Sequence, residues 1–304
     1  VTIIYIPLML LGLLGNILTI LVVWLRPYMR SSTYLYLSSL AVSDILILLL
    51  LPVDLYKLWR PRPWTFGELS CKLTMFFSEC CTFCSILHIT FISLERYLAV
   101  CWPFTAKTLV TRRRTRTIIG CIWLGAAISA APVLVIVGVE EDGGDKAQVD
   151  MRECRCTDYA VSSGLLSAML VLSNMYFLVP LCILGLVYSL IGRTLWLRSQ
   201  NSRRDLNNRH IVKMLGVIVL VFVLCWLPFH VGRTIFFFTL GTHTDSQYFL
   251  YYLSQYLNLV SSVLFYLSAA INPLLYNLMS ERYRHAVHSL VRGYARTQAR
   301  SLQT

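Results

Sequence analysis

Apolar residues run along this chain in seven long blocks, near positions 3–25, 34–56, 70–100, 118–139, 163–191, 211–238 and 249–279, with polar residues collected between them. Each block reaches the roughly 20 residues that cross a bilayer as a helix. The longer ones leave room for tilt or for helix beyond the hydrocarbon. No linker, repeat or low-complexity tract separates the blocks, so the pattern predicts one domain over 1–279 followed by a carboxyl-terminal segment, 280–304. Alternating apolar and basic residues from Ser280 to Arg292 predict a short amphipathic helix lying at the membrane surface. Val1 stands where an initiator Met is usual, and the first block is too long for a signal peptide and lacks a small-residue cleavage pattern. The expectation is a natural amino terminus upstream of Val1.

Composition sharpens this picture. At 57% hydrophobic and 14% charged residues, the chain lies well outside the usual soluble range of about 45–50% and about 25%. The net charge of +12 is distributed by loop. Arg26 and Arg30, Lys107 and Arg112 to Arg116, Arg193 to Lys213, and Arg282 to Arg300 occupy alternate connections and the tail. Glu140, Glu141, Asp142, Asp145, Asp150, Glu153 and Asp158 sit in an opposite connection. The positive-inside rule then places the basic loops and carboxyl terminus in the cytoplasm and the amino terminus outside. The basic excess reads as a topology signal and a footprint for anionic membrane lipid, and no nucleic-acid partner is expected.

Most of the ten cysteines, including Cys80, Cys81, Cys84, Cys121, Cys182 and Cys225, fall in apolar blocks and read as small buried residues. Cys71 opens the third block on the outer side, and Cys154 and Cys156 lie in the acidic outer loop, an oxidising setting. One of the pair bridges to Cys71; Cys154 is the expected partner, and Cys156 is then a surplus thiol.

Polar groups inside the blocks are costly in a bilayer and mark function. Asn16, Asp44, Ser85, Ser268 and Asn272 predict either interhelical glue or a hydrated cavity able to hold a sodium ion near Asp44, Ser85 and Asn272. Pro52, Pro132, Pro180, Pro228 and Pro273 predict kinks. Beside one of these, Trp226 lies one turn after Phe222 on the same helix face, which suits an aromatic hinge for the sixth span.

Asn16, Asp44, Glu95-Arg96-Tyr97, Trp123, Pro180 with Tyr188, Cys225-Trp226-Leu227-Pro228 and Asn272-Pro273-Leu274-Leu275-Tyr276 occur in order, one group per span. Over nearly the whole length the chain resembles a rhodopsin-like (class A) G-protein-coupled receptor, an all-α bundle of seven transmembrane helices. Ser189 to Arg193, Cys225 to Arg233 and Phe265 to Pro273 are similar to the ghrelin and motilin receptor group. Asp54 to Trp59 and Thr111 to Arg114 lean towards the motilin type, Val137 to Glu140 and Ser163 to Leu166 towards the ghrelin type.

The resemblance implies a plasma-membrane receptor for a peptide hormone, coupled to a heterotrimeric G protein of the Gq/11 class and recruiting arrestin. The seventh block has no lysine for retinal, and the third offers Ser78 and Glu79 where amine receptors carry an aspartate. Asp54, Glu79, His230 and Arg233 form a mixed-charge outer pocket, with Phe229, Phe236, Phe265 and Tyr266 as apolar walls and Asn258 near the mouth. Buried charges need partners, so a Glu79–Arg233 ion pair is expected across the bundle. The resemblance implies that this pair divides the cavity, one part taking a peptide ammonium near Asp54 or Glu79 and the other an apolar or acyl group. Trp64 reads as an anchor of the first outer loop.

At the inner face, Arg96 beside Glu95 and Tyr97 is expected to be neutralised at rest and released to a G protein. Pro103 and Phe104 offer an apolar knob, and Tyr188 and Tyr276 point towards the same region. Asn207 to Lys213 at the base of the sixth span contains no acid to lock Arg96, the nearest being Asp205, which predicts ligand-independent signalling. Cys225 is the last cysteine, so no palmitoyl anchor is expected on the surface helix. Ser289, Thr297, Ser301 and Thr304 are candidate phosphorylation sites for arrestin. No cofactor is expected, and no zinc-binding or nucleophile-elbow motif points to an enzyme. The alternatives are a receptor for another neuropeptide of neurotensin or neuromedin U type and, for want of inverted repeats, more remotely a transporter.

Overall fold

The computed structural model describes residues 2–60, 62–141, 152–197, 203–239, 245–279 and 282–290, with some side chains near the ends of the last two spans left out. Seven helices are long and apolar enough to cross a membrane. They are α1 (Thr2–Leu25), α2 (Ser32–Trp59), α3 (Gly67–Cys101), α5 (Arg112–Ala130, continued by α6, Val133–Ile136), α8 (Leu165–Leu197), α9 (Arg203–Thr239) and α10 (Asp245–Met279). Between them lie α4 (Pro103–Leu109), strands β1 (Val137–Glu141) and β2 (Arg152–Cys156), and α7 (Asp158–Ser162). Residues 282–290 form the short helix α11 expected after the seventh span.

Element boundaries follow local chemistry. The Thr111 hydroxyl caps α5 by accepting from Arg114 N at 3.4 Å, and Thr157 caps α7 from Ala160 N at 3.2 Å. Gly67 (φ 78°) and Gly164 (φ 76°) turn the chain into α3 and α8 through a conformation that suits glycine. Pro52, Pro180, Pro228 and Pro273 lie inside spanning helices. At Ala131-Pro132 the fourth span tightens, keeping right-handed helical dihedrals with bonds such as Leu134 N–H to Ala131 O at 3.0 Å, and then continues for one turn, Val133–Ile136. Residues 137–139, expected in the fourth span, instead start an outer hairpin in which Val139 faces Cys154 across an antiparallel ladder.

Large apolar side chains such as Leu14, Leu124, Leu186 and Leu224 point outward, as required when the solvent is hydrocarbon. Cys121 and Cys182, expected to be buried, also face outward. Lipid is as apolar as a core, so small apolar residues are equally at home there. Inside, packing is close where glycine allows it. A Cβ on Gly12 would lie 2.7 Å from Leu48 Cδ1, and one on Gly15 would lie 2.9 Å from Pro273 Cβ, which brings spans one, two and seven together. Helix α11 docks on the first span through the buried Tyr283, whose hydroxyl lies 2.9 Å from Thr19 Oγ1.

Candidate ligand and switch sites

The outer hairpin is pinned to the third span by a Cys71–Cys154 disulfide, the expected pairing. Trp64 is buried beneath the first outer loop, its indole N–H donating to Gly67 O at 2.8 Å and its backbone N–H to Arg152 O at 2.8 Å. It therefore fastens loop to hairpin.

Below the hairpin, Arg233 Nη1 of α9 donates to both Glu79 oxygens of α3, at 3.0 and 3.1 Å. Glu79 is buried, and Ser173 Oγ of α8 lies 3.5 Å from the same nitrogen, so three spans meet at this pair. The Phe229 ring lies under the guanidinium at 5.7 Å, a cation–π distance. His230 stacks on Phe177 at 4.5 Å and donates from Nδ1 to Asn174 Oδ1 at 3.2 Å, while Asn174 Nδ2 donates to Thr234 at 3.2 Å. Ser173, Asn174, Phe177 and Thr234 were not foreseen, because isolated Ser, Asn and Thr carry no motif. Their place became visible only once the fifth and sixth spans were set side by side.

Asp54 sits apart from the Glu79 pair, in a cluster of the first, second and seventh spans. Tyr266 donates its hydroxyl to Asp54 Oδ2 and meets Tyr5 edge-on at 5.4 Å, and Tyr5 bonds Ser262 at 2.7 Å. Phe265 is buried between Trp226 and Tyr266, at 5.1 Å from each, so it belongs to the bundle core more than to an open wall. Asn258 is exposed and does not touch the ion pair; its Oδ1 lies near Gly232.

An aromatic column leads inward from the pair. Phe229 meets Trp226 edge-on at 5.8 Å, Trp226 meets Phe222 at 5.8 Å, and Phe222 meets Phe177 at 6.3 Å. Trp226 and Phe222 also line a cavity with Asp44, Ser85, Ser268 and Asn272. Asn272 Nδ2 donates to Asp44 Oδ2 at 2.8 Å, and Ser43 joins Ser85 at 2.9 Å. Asp44 is buried and has no cationic partner among the described residues. A buried carboxylate without countercharge is costly, and in this mostly apolar cavity the oxygens come from Asp44, Ser85, Ser268 and Asn272.

At the inner end, Glu95 does not pair with Arg96 as expected. Its carboxylate accepts from Ser32 Oγ and from Thr115 Oγ1, hydroxyls of the second and fourth spans. Two hydroxyls at fixed positions satisfy the buried acid more directly than its sequence neighbour, whose side chain leaves α3 in another direction. Among the described residues no hydrogen bond or ion pair is made to Arg96, and its Nε is buried without a partner. The Tyr188 hydroxyl lies 3.3 Å from Ser93. Pro103 opens α4, Phe104 is 84% exposed on it, and Trp102 Nε1 donates to the Tyr97 hydroxyl at 3.4 Å. The side chains of Tyr276, Asp205 and Asn207, and the tail residues Thr297, Ser301 and Thr304, lie outside the described residues.

Ser39 joins three spans. His88 donates from Nδ1 to Cys84 O at 2.8 Å, its Nε2 then accepts from Ser39 at 2.9 Å, and Trp123 donates to the same hydroxyl at 2.9 Å.

Seven helices long enough to span a membrane carry a paired-charge site under a disulfide-pinned hairpin, with an aromatic column leading inward from it. At the opposite end lies an arginine to which no hydrogen bond or ion pair is made among the described residues, and together these features describe a multi-pass membrane protein. The profile of the 7 transmembrane receptor (rhodopsin family) matches residues 15–276. The chain is 50% identical over 98% of its length to growth hormone secretagogue receptor type 1 of Oryctolagus cuniculus, covering 82% of that protein. It is 41% identical to the human motilin receptor over 96% of its length, covering 80% of that protein. For human neurotensin receptor type 1 the identity is 33%, with 94% and 74% covered. The chain belongs to the rhodopsin family of seven-transmembrane receptors, the class A G-protein-coupled receptors, in the ghrelin and motilin receptor group; it is not an enzyme.

Proposed function

We propose that this receptor binds a ghrelin- or motilin-like peptide hormone in its outer cavity and activates a heterotrimeric G protein of the Gq/11 class. The observation that carries the proposal is the Glu79–Arg233 pair, set across the bundle at 3.0 Å above the aromatic column. A peptide amino-terminal segment entering beneath the hairpin places its ammonium near Asp54 or Glu79 and an apolar group against Phe229. Strain on Arg233 passes through Phe229 to Trp226 and Phe222, and α9 yields at Pro228. Its inner half then swings, Arg96 gains a partner on the G protein, and Phe104 seats in an apolar groove of that partner.

Asp44, Ser85 and Asn272 hold a sodium ion in the resting state, supplying a carboxylate and neutral oxygens. With no hydrogen bond or ion pair made to Arg96 among the described residues, the inactive state is weakly held and basal signalling follows. Arrestin reads phosphorylated residues such as Ser289 and the tail hydroxyls. Anionic inner-leaflet lipid holds the basic loops, and the amino terminus is extracellular. Calcium mobilisation in cells expressing the receptor, screened with ghrelin, des-acyl ghrelin, motilin and neurotensin, tests the ligand class. A response to neurotensin alone, or to none of these, would count against it. Basal inositol phosphate at the level of mock-transfected cells would remove the claim of ligand-independent activity.

A further inference from the structure

We infer that Cys156 is a resolving thiol for the outer disulfide, exchanging the Cys71–Cys154 bridge for a Cys71–Cys156 bridge and resetting the register of the hairpin. This goes beyond the ligand reading and does not depend on it. Cys154 and Cys156 are alternate residues of β2 and so share a face of the strand. Cys154 stands opposite Val139 and Cys156 opposite Val137, with the Gly138–Arg155 pair between them. Cys71 Sγ sits at that middle position, 3.6 Å from Gly138 O. The Cys156 thiol is free.

A slip of β2 by two residues, about 7 Å, keeps every side chain on its own face. It carries Cys156 into the place of Cys154, opposite Val139. Charge favours the second register. In the present one Glu140 faces Glu153 directly, and like charges set opposite one another are unfavourable. After the slip Glu140 faces Arg155, already its ion-pair partner across the diagonal at 3.5 Å. Against the slip stand the bonds from Trp64 N–H to Arg152 O and from Thr157 N–H to Ile136 O, each 2.8 Å. Extending the five residues of α7 from helical to strand rise releases about 9 Å of chain, enough for the shift.

The exchange is balanced without an oxidant or reductant. Cys156 gives its proton to water, and its thiolate attacks Cys71 Sγ. The new S–S bond forms as the old one breaks, and the electron pair leaves on Cys154 Sγ, which takes a proton back from water. Lys57 Nζ lies 3.7 Å from Cys154 Sγ, where an ammonium stabilises the departing thiolate. Desolvation raises the Cys156 thiol, Arg233 and Lys57 pull it back, and Glu140 pushes it up. The thiol is therefore protonated at rest, and the exchange gains rate as pH rises.

Trypsin reads the outcome, because Arg155 separates the two cysteines and cleavage after it gives each bridge its own mass. Purified receptor in nanodiscs is held at about pH 8.5 or about pH 6.5, quenched with acid, blocked with N-ethylmaleimide and digested without reduction. Both bridges are expected, with Cys71–Cys156 appearing on the order of tenfold faster at the higher pH. Lys57→Gln should slow its appearance about threefold. Glu140→Lys faces Glu153 before the slip and Arg155 after it, so the Cys71–Cys156 share should fall about threefold. Cys154→Ser should keep a bridge through Cys156 and reach the cell surface, whereas Cys154→Ser with Cys156→Ser should lose both. Wild-type receptor showing Cys71–Cys154 alone at both pH values, or Cys154→Ser with Cys71 unbridged, would overturn the exchange.

Discussion

Removing one partner of the Glu79–Arg233 pair should destabilise the receptor asymmetrically, by an amount that burial decides. One-sided loss of a buried pair costs about 3–5 kcal/mol, because a charge is left in low dielectric without its counter-ion. Glu79 has a side chain 10% exposed and Arg233 one 26% exposed. Arg233→Gln strands the more deeply buried charge, so a cost of about 3 kcal/mol is expected. Glu79→Gln strands the better solvated one, which keeps Ser173 and the Phe229 face, and about 2 kcal/mol is expected. The double variant strands neither and should be no worse than Glu79→Gln, which gives a coupling of about 3 kcal/mol in a double-mutant cycle. At roughly 2–4 °C per kcal/mol for long chains, midpoints should fall by about 9 °C for Arg233→Gln and about 6 °C for Glu79→Gln. Intrinsic fluorescence of receptor in lipid nanodiscs during heating reads these shifts. Additive losses in the double variant, or Glu79→Gln being the more damaging single change, would refute the account.

Other changes test separate features. Ser39→Ala leaves the Trp123 indole and His88 Nε2 without their common partner and should cost about 1–3 kcal/mol, read as a lower melting midpoint; an unchanged midpoint would mean the network is slack. Gly15→Val pushes side-chain atoms into Pro273 and should cost about 1–3 kcal/mol by overpacking, with surface expression falling accordingly. Cys71→Ser removes a bridge spanning 83 positions, worth about 2–4 kcal/mol, and surface binding of a conformation-sensitive antibody should drop. Asp44→Asn should abolish any effect of sodium on agonist affinity in membranes; retained sodium sensitivity would place the ion elsewhere.

The bundle was legible in the sequence because hydrophobic block length maps directly onto span length. Motif residues such as Asp44, Arg96 and Asn272 announced themselves by being expensive in lipid, and Trp226 by its place beside Pro228. Glu79–Arg233 was legible for the same reason, since two charges buried in one chain need each other. The hydroxyl ties were not. Ser32, Ser39, Thr115 and Ser173 look alike in sequence whether they satisfy their own helix or reach another. Glu95 shows the consequence, as adjacency to Arg96 suggested a pair that helix geometry does not make. The hairpin at 137–141 was hidden because Val137 and Val139 are as apolar as the helix before them, and β-branched residues at a helix end pair readily in a strand.

The hydroxyl ties also divide the molecule by how it fails. Spans two, three and four are laced together at the Glu95 end of the bundle and deeper in at Ser39 and Ser43. Span two carries Pro52 and the fourth span Pro132, but there the ties hold the helices to one another, whereas the prolines of spans five, six and seven lie outside that lacing. Natural variation in the laced half should mainly change how many receptors survive quality control and reach the surface. Variation in the kinked half should mainly change how much signal each surviving receptor emits. A cell-sorting experiment that scores abundance and output separately would sort the chain's substitutions into those two populations.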